Sequence, residues 1–250
     1  MNHRRRFLKR RKMIKSFLDL RRSLNRKWGV LVKDKRFLIA LVFGLFLLFA
    51  GQSVLCRAAE YNDQMFQVVS VGDLILDYIP TINMGFFYTW GMAVMMIIVT
   101  FYTVFVRPEL APWVLKTYGL FAFVRAGFIL LTHLGPPEGL IFFDDPEMVK
   151  NIVFEKFFYV NDLFFSGHVG NLFLGYLLFR NFKFRWFCLI GSVLMGITVL
   201  LMHVHYSIDV FGAYFITYGI YAFSNRIFHG FNERFKKLIF VPKEEAKAEA

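Results

Sequence analysis

The sequence predicts an all-α integral membrane protein with six transmembrane helices and both termini cytoplasmic. Three observations predict it. Hydrophobic residues make up 57% of the chain and aromatics 19%, with 33 Phe, which is too apolar for an ordinary soluble domain. Apolar runs of bilayer-spanning or nearly bilayer-spanning length recur along the chain, separated by short polar segments. Between those runs, basic and acidic segments alternate as the positive-inside rule requires.

Residues 1–36 form a basic arm that holds 15 of the 30 Lys and Arg residues. It accounts for much of the net charge of +12, and no nucleic-acid module follows it. The arm is therefore read as a cytoplasmic anchor on an anionic lipid surface, with no nucleic-acid partner. Met13, Ile14, Phe17, Leu18, Leu20, Leu24 and Trp28 are interspersed among the charges. That pattern fits a surface-lying amphipathic helix or a solvated arm.

Residues 37–55 are uncharged and form the first span, retained because both the basic region and the apolar run are too long for a signal peptide. The segment 56–83 carries Arg57, Glu60, Asp63, Asp73 and Asp77. The second span, 84–106, ends at Arg107-Pro108-Glu109, and Pro112 helps start the third, 113–134, which carries Lys116 and Arg125. An acidic loop follows over 135–160. The fourth span covers 163–179, a basic turn 180–185, the fifth span 186–202 and the sixth 206–223. Only His203-Val204-His205 separates the last two, so they predict a tight helical hairpin. The tail, 224–250, lacks apolar periodicity and is predicted to fray. The organisation is a basic arm (1–36), one membrane domain (37–223) and a cytoplasmic tail (224–250). Cys56 and Cys188 lie far apart and make no metal or disulfide pattern.

With the basic segments inside, the acidic loops fall outside. His168 then begins the fourth span, His205 begins the sixth, and Arg125 lies in the outer half of the third. The suspicious polar residues converge on the non-cytoplasmic side. If the sixth run is helical from its start, His205 and Asp209 share a face, with β-carbons about 5–6 Å apart. A carboxylate one turn inside a membrane helix costs roughly 2.5–3.5 kcal/mol on insertion scales and needs a partner. Asp209 can hold one imidazole nitrogen of His205 and leave the other free to attack. Two histidines and an aspartate at one membrane surface point to phosphoryl transfer.

The blocks Asp162-x3-Ser166-Gly167-His168 and His205-Tyr206-Ser207-Ile208-Asp209-Val210 lie about forty residues apart, histidine to histidine. They resemble the signature of sphingomyelin synthases, a branch of the type-2 phosphatidic acid phosphatase superfamily. A third block, Arg125 to Pro137, is similar to a synthase segment with an arginine, a threonine and a leucine-proline-rich exit. The resemblance covers residues 125–215. It departs from the phosphatases, which carry a lysine/arginine-proline block before the first histidine motif and an arginine six residues before the second histidine. Here Val199 stands at the latter position. Within the synthase pattern, Asn161 replaces a glycine, Val169 a threonine, and Gly135 part of a leucine-proline pair.

The resemblance implies a lipid phosphotransferase. His205 would attack the phosphorus of a phosphocholine- or phosphoethanolamine-type headgroup, with Asp209 orienting it. His168 would protonate the departing diacylglycerol oxygen and then activate the hydroxyl of an acceptor such as ceramide or diacylglycerol. Arg125 and Ser166 are candidates for holding phosphate oxygens, and Asp162 for facing a cationic headgroup. Structural alternatives stand beside these roles. Arg125 can snorkel to the interface, and Asp162 can cap the fourth helix. Tyr206 and Tyr159 fit an interfacial belt, and His203 and His133 fit bystanders. No cofactor or metal is implied. The expected partners are donor and acceptor membrane lipids, and a homo-oligomer stays open. The competing classes are a lipid phosphatase using the same triad and a lipid-binding membrane protein without turnover. A transporter fits less well, because the polar residues gather at one face rather than at mid-membrane.

Overall fold

The computed structural model describes residues 21–64, 68–140 and 162–240. The first part of the arm, Tyr159, Asn161, the acidic stretch 141–161 and the last ten residues of the tail lie outside them. Among the described residues the longer helices run in order: α1 (21–31), α2 (Lys35–Asp63), α3 (Phe87–Val106), α4 (Ala111–Leu131), α5 (Gly167–Leu178), α6 (Arg185–Leu201) and α7 (Ser207–Phe240). The described regular structure is helical apart from an isolated bridge between Val69 and Leu134.

Among the described residues, three segments are long and apolar enough to cross a membrane: Lys35–Asp63, Phe87–Val106 and Pro108–Leu131. On α2, Ile39, Val42, Phe46 and Phe49 form one stripe at helical spacing, and all four are exposed. On α3, Ile97 and Phe101 do the same, and on α7 Phe211 and Phe215. In water such a surface would aggregate; against lipid tails it needs no cover. These helices suggest a membrane protein.

α2 starts at Asp34, whose carboxylate accepts the amide of Arg36 at 2.8 Å. It packs along α4, and the crossing rests on two glycines. A methyl group on Gly51 would sit 2.5 Å from the Gly119 carbonyl oxygen, and one on Gly119 would sit 2.6 Å from the Leu47 carbonyl. Small residues here let the two backbones touch, the usual source of association between helices in lipid.

α3 has π-helical turns at both ends, Phe87–Gly91 and Tyr102–Val106. It packs on α4, α5 and α6 but scarcely touches α2. α5 and α6 form a hairpin through the 180–185 turn, and α7 closes the bundle against α4 and α5.

Two of the expected elements differ in extent. The fourth apolar run does not become helical until Gly167, leaving a helix of 12 residues, about 18 Å long, with Asp162–Ser166 as an irregular approach. Up to Phe240 the segment after 223 is not frayed but continues α7, and the rest of the tail lies outside the described residues. Phe235 is fully buried, its ring 5.2 Å edge-on to Phe37, in a cluster with Leu31. Arg234 pairs with Asp34 at 3.1 Å. Tertiary contact with the arm, invisible to a local reading of the tail, holds those last turns in place.

Candidate active site

The end of the bundle where α5 and α7 begin brings the sequence-predicted residues together. Arg125, Asp162, His168 and His205 line one cavity, with Tyr88, Asn171 and Val204 beside them. Asp209 sits directly behind His205, and Ser166 lies fully buried at the foot of α5.

His205 is not on the sixth helix. α7 begins at Ser207, so His205 belongs to the turn leaving α6. Its approach to Asp209 comes from helix capping instead. The Asp209 Oδ2 atom accepts the Tyr206 amide at 2.9 Å, the backward half of a capping box, and lies 3.4 Å from His205 Nδ1. Both side chains are buried, and Asp209 is wholly inaccessible. The carboxylate therefore ties down the helix start and faces the imidazole with the same oxygen. The Asp209 carbonyl also accepts the Ser166 amide at 3.1 Å, which joins the starts of α5 and α7.

His168 lies in the first turn of α5. Its ring stacks on Tyr88, with the ring centroids 4.0 Å and the planes 23° apart. Tyr88 lies in the first π turn of α3, a distortion often found where a helix serves a site.

Arg125 does not snorkel. It is buried and spends all three guanidinium nitrogens on the α5 approach. Nε donates to the Phe165 carbonyl at 2.9 Å, Nη1 to Asp162 Oδ2 at 2.8 Å and Nη2 to the Asp162 carbonyl at 3.1 Å. Gly167 makes room for it, since a methyl group there would lie 3.0 Å from the Arg125 Cζ. Asp162 does not cap α5, because it precedes the helix by several residues and is bound to Arg125 instead. The Ser166 hydroxyl and the second oxygen of each aspartate, Asp162 Oδ1 and Asp209 Oδ1, are buried without a hydrogen-bond partner among the described residues.

Sequence reasoning missed three supporting residues. Asp73 accepts the Ser207 amide at 2.6 Å, capping α7 from a distant loop. Burial pushes its carboxyl up, but hydrogen bonds from Ser207, Ile75 and Leu76 outweigh this and hold it below the usual carboxylate range. Nothing in the sequence distinguishes Asp73 from the other loop acids. Tyr88 looks like any aromatic in an apolar run. Tyr206, expected at the interface, is 1% exposed. Its hydroxyl donates to the Gly135 carbonyl at 2.8 Å and accepts the Val71 amide at 3.1 Å, clasping two loops over the site. His203, expected to be a bystander, is buried and pairs through Nδ1 with the Glu138 carbonyl at 3.0 Å. His133 is exposed.

Away from its polar end the cavity is apolar. It has a volume of about 680 Å³ and runs between α2, α3 and α4, past Leu48, Met96 and Phe121. One end thus gathers the charged and titratable side chains, and the rest is lined mainly by apolar ones.

Residues 160–226 match the family model described as PAP2 superfamily C-terminal. The matched segment contains Asp162, Ser166, His168, His205 and Asp209, and it leaves out Arg125. No curated protein and no solved structure matches the chain. The family match supports the type-2 phosphatidic acid phosphatase superfamily and, with it, an enzyme of the lipid phosphatase or phosphotransferase type.

Proposed function

We propose that this chain is a membrane lipid phosphotransferase that moves a phospho-headgroup from a glycerophospholipid to a lipid alcohol through a phosphohistidine. The headgroup is of the phosphocholine or phosphoethanolamine type, and the acceptor is ceramide or diacylglycerol. In this reading the chain crosses the membrane six times, both termini are cytoplasmic, and the histidines face the non-cytoplasmic side. The observation that carries the proposal is the pairing of His205 with Asp209, beside His168, at the polar mouth of an apolar cavity.

The steps follow from those positions. Asp209 holds His205 Nδ1, and Nε2 attacks the donor phosphorus. The bond from phosphorus to the diacylglycerol oxygen breaks, and His168 supplies that oxygen with a proton. His168 then takes the proton of the acceptor hydroxyl, whose oxygen attacks phosphorus as the P–N bond breaks. The start of α5, with its backbone amides and the Ser166 hydroxyl, is suited to hold phosphate oxygens. Arg125 sets that segment in place and adds positive charge near them.

Hydrolysis is the rival outcome for the same three residues. The lining supports transfer over phosphate-monoester hydrolysis. Among the described lining residues Arg125 is the one fixed cation, and Asp162 already shares its charge. Val199, where the phosphatases place an arginine, is fully buried in the apolar core. A diester headgroup carries less negative charge than a monoester and fits that lining better.

Incubation of the purified protein with headgroup-labelled phosphatidylcholine or phosphatidylethanolamine, with and without ceramide or diacylglycerol, tests the reading. A labelled lipid product that forms only with acceptor is expected. Release of labelled phosphocholine, phosphoethanolamine or phosphate without a lipid product would establish a hydrolase. No chemistry at all, with lipid still bound, would leave a lipid-binding protein.

A further inference from the structure

The apolar cavity has a floor, and that floor comes from the basic arm. At the end remote from the histidines the lining residues are Leu41 of α2, Val104 of α3, Ala111 at the start of α4 and Trp28 of α1. Among the described residues, Trp28 is the one large side chain at that end contributed by a segment outside the three walls.

Local chemistry explains why α1 docks there. The last turn of α3 leaves its carbonyls without amide partners, as any helix end does. For Val104 the residue one helical turn on is Pro108, which has no N–H. Trp28 Nε1 donates to the Val104 carbonyl at 3.1 Å, and Lys27 Nζ donates to the Val106 carbonyl at 2.8 Å. The Trp28 ring also stands edge-on to Phe37 at 6.1 Å, and Phe37 packs on Phe235. The arm, the start of α2 and the end of α7 form one end plate.

The walls fix the depth above it. The lining residues of α2 run from Leu41 to Ala59, those of α3 from Tyr88 to Val104, and those of α4 from Ala111 to Arg125. At 1.5 Å per residue these spans are roughly 20–27 Å. One leaflet of hydrocarbon is about 15 Å deep, half of a typical core. The slot thus takes a long-chain tail along most of its length. Because α2 and α3 scarcely touch, such a tail can enter sideways from the bilayer.

We propose that Trp28 sets the length of the lipid tail that this slot accepts, by closing its far end. The inference rests on the lipid-substrate reading above, and it assigns the arm a part in choosing the substrate by tail length. Removing the indole extends the slot, and filling the space beside it shortens the slot.

The test uses the full-length protein in detergent, equilibrated with vesicles of phosphatidylcholine of graded tail length. Bound lipids are extracted and weighed by mass spectrometry, a readout that needs no turnover. Trp28→Ala should shift the bound distribution toward longer tails, and Leu41→Trp toward shorter ones. Trp28→Phe loses the hydrogen bond to Val104 but keeps a ring, and should hold the wild-type distribution. If Trp28→Ala does not fold, Leu41→Trp and Trp28→Phe still decide the matter. Identical distributions for wild type and Leu41→Trp would overturn the proposal, as would a Trp28→Phe profile matching Trp28→Ala. The headgroup-transfer assay runs on the same samples. Shifted distributions without transfer would sink the transferase reading alone, and transfer with unshifted distributions would sink only the role of Trp28.

Discussion

Asp209 Oδ2 lies 3.4 Å from His205 Nδ1 while it accepts the Tyr206 amide at 2.9 Å. One oxygen serves the helix start and the imidazole, which separates two consequences of mutation. Asp209→Asn keeps an oxygen that can cap α7 but can no longer stabilise an imidazolium. Headgroup transfer should fall by roughly 10²–10⁴-fold, the range for losing an acid–base partner, with little change in melting temperature. Asp209→Ala should lose the cap as well and destabilise the protein by about 1 kcal/mol more. Equal transfer rates for Asp209→Asn and wild type would remove the aspartate from the chemistry.

His168 is assigned the protons, not the covalent bond. His168→Ala should slow transfer by roughly 10²–10⁴-fold with a natural donor. A donor analogue whose leaving group needs no proton should recover much of the first half-reaction. Rapid-quench measurement of headgroup release from both donors checks this, and no difference between them would contradict the assignment.

Arg125 is both anchor and charge. Replacing it with Ala strands the Asp162 carboxylate and the Phe165 carbonyl in a buried place, a loss of about 3–5 kcal/mol for breaking a buried pair. Arg125→Lys keeps the charge but cannot donate in three directions at once. It should fold better than Arg125→Ala and still transfer poorly. Thermal melts and transfer rates on the same preparations decide whether Arg125 acts mainly through the α5 approach.

The helical character of the chain and three helices apolar enough to cross a membrane were legible in the sequence, and the reason is local. The first two apolar runs, both uncharged, fall in α2 and α3, the third, which carries Lys116 and Arg125, falls in α4, and the three-residue gap between the last two runs became the turn that carries His205. What stayed hidden depends on contacts between distant segments. The docking of Phe235 on Phe37 turned an apparently loose tail into helix. Asp73 caps α7 from a loop far away in the chain, and no spacing rule links it to Ser207. The His205–Asp209 pairing was found through an assumed helix that begins only at Ser207. The adjacency survives because a residue in the first turn of a helix can reach back to its cap.

Asp73 gives the account a pH signature. Its folded pKa is lowered from the ordinary 3.8, with burial opposing and the hydrogen bonds of Ser207, Ile75 and Leu76 prevailing. A depressed carboxylate stabilises fully above its unfolded pKa and loses that contribution as pH falls through the folded value. Melting temperatures of the wild type should therefore drop below about pH 4 more steeply than those of Asp73→Asn. Parallel curves would mean that the cap on α7 contributes nothing.

The close crossing of α2 and α4 makes a further demand. Gly119→Val puts a Cβ 2.6 Å from the Leu47 backbone and adds two methyl groups beyond it, and should cost about 1–3 kcal/mol. The same change at Gly127, which has open space around it, should be mild by comparison. Matching losses at the two positions would show that the crossing is not as tight as described.

The most direct measurement is chemical trapping of the intermediate. Wild-type protein incubated with headgroup-labelled donor in the absence of acceptor, quenched and digested under alkaline conditions, should carry an acid-labile label on the peptide containing His205. His205→Ala should carry none, and His168→Ala should retain whatever forms slowly. Label that persists in His205→Ala, or that maps to His168, would contradict the account.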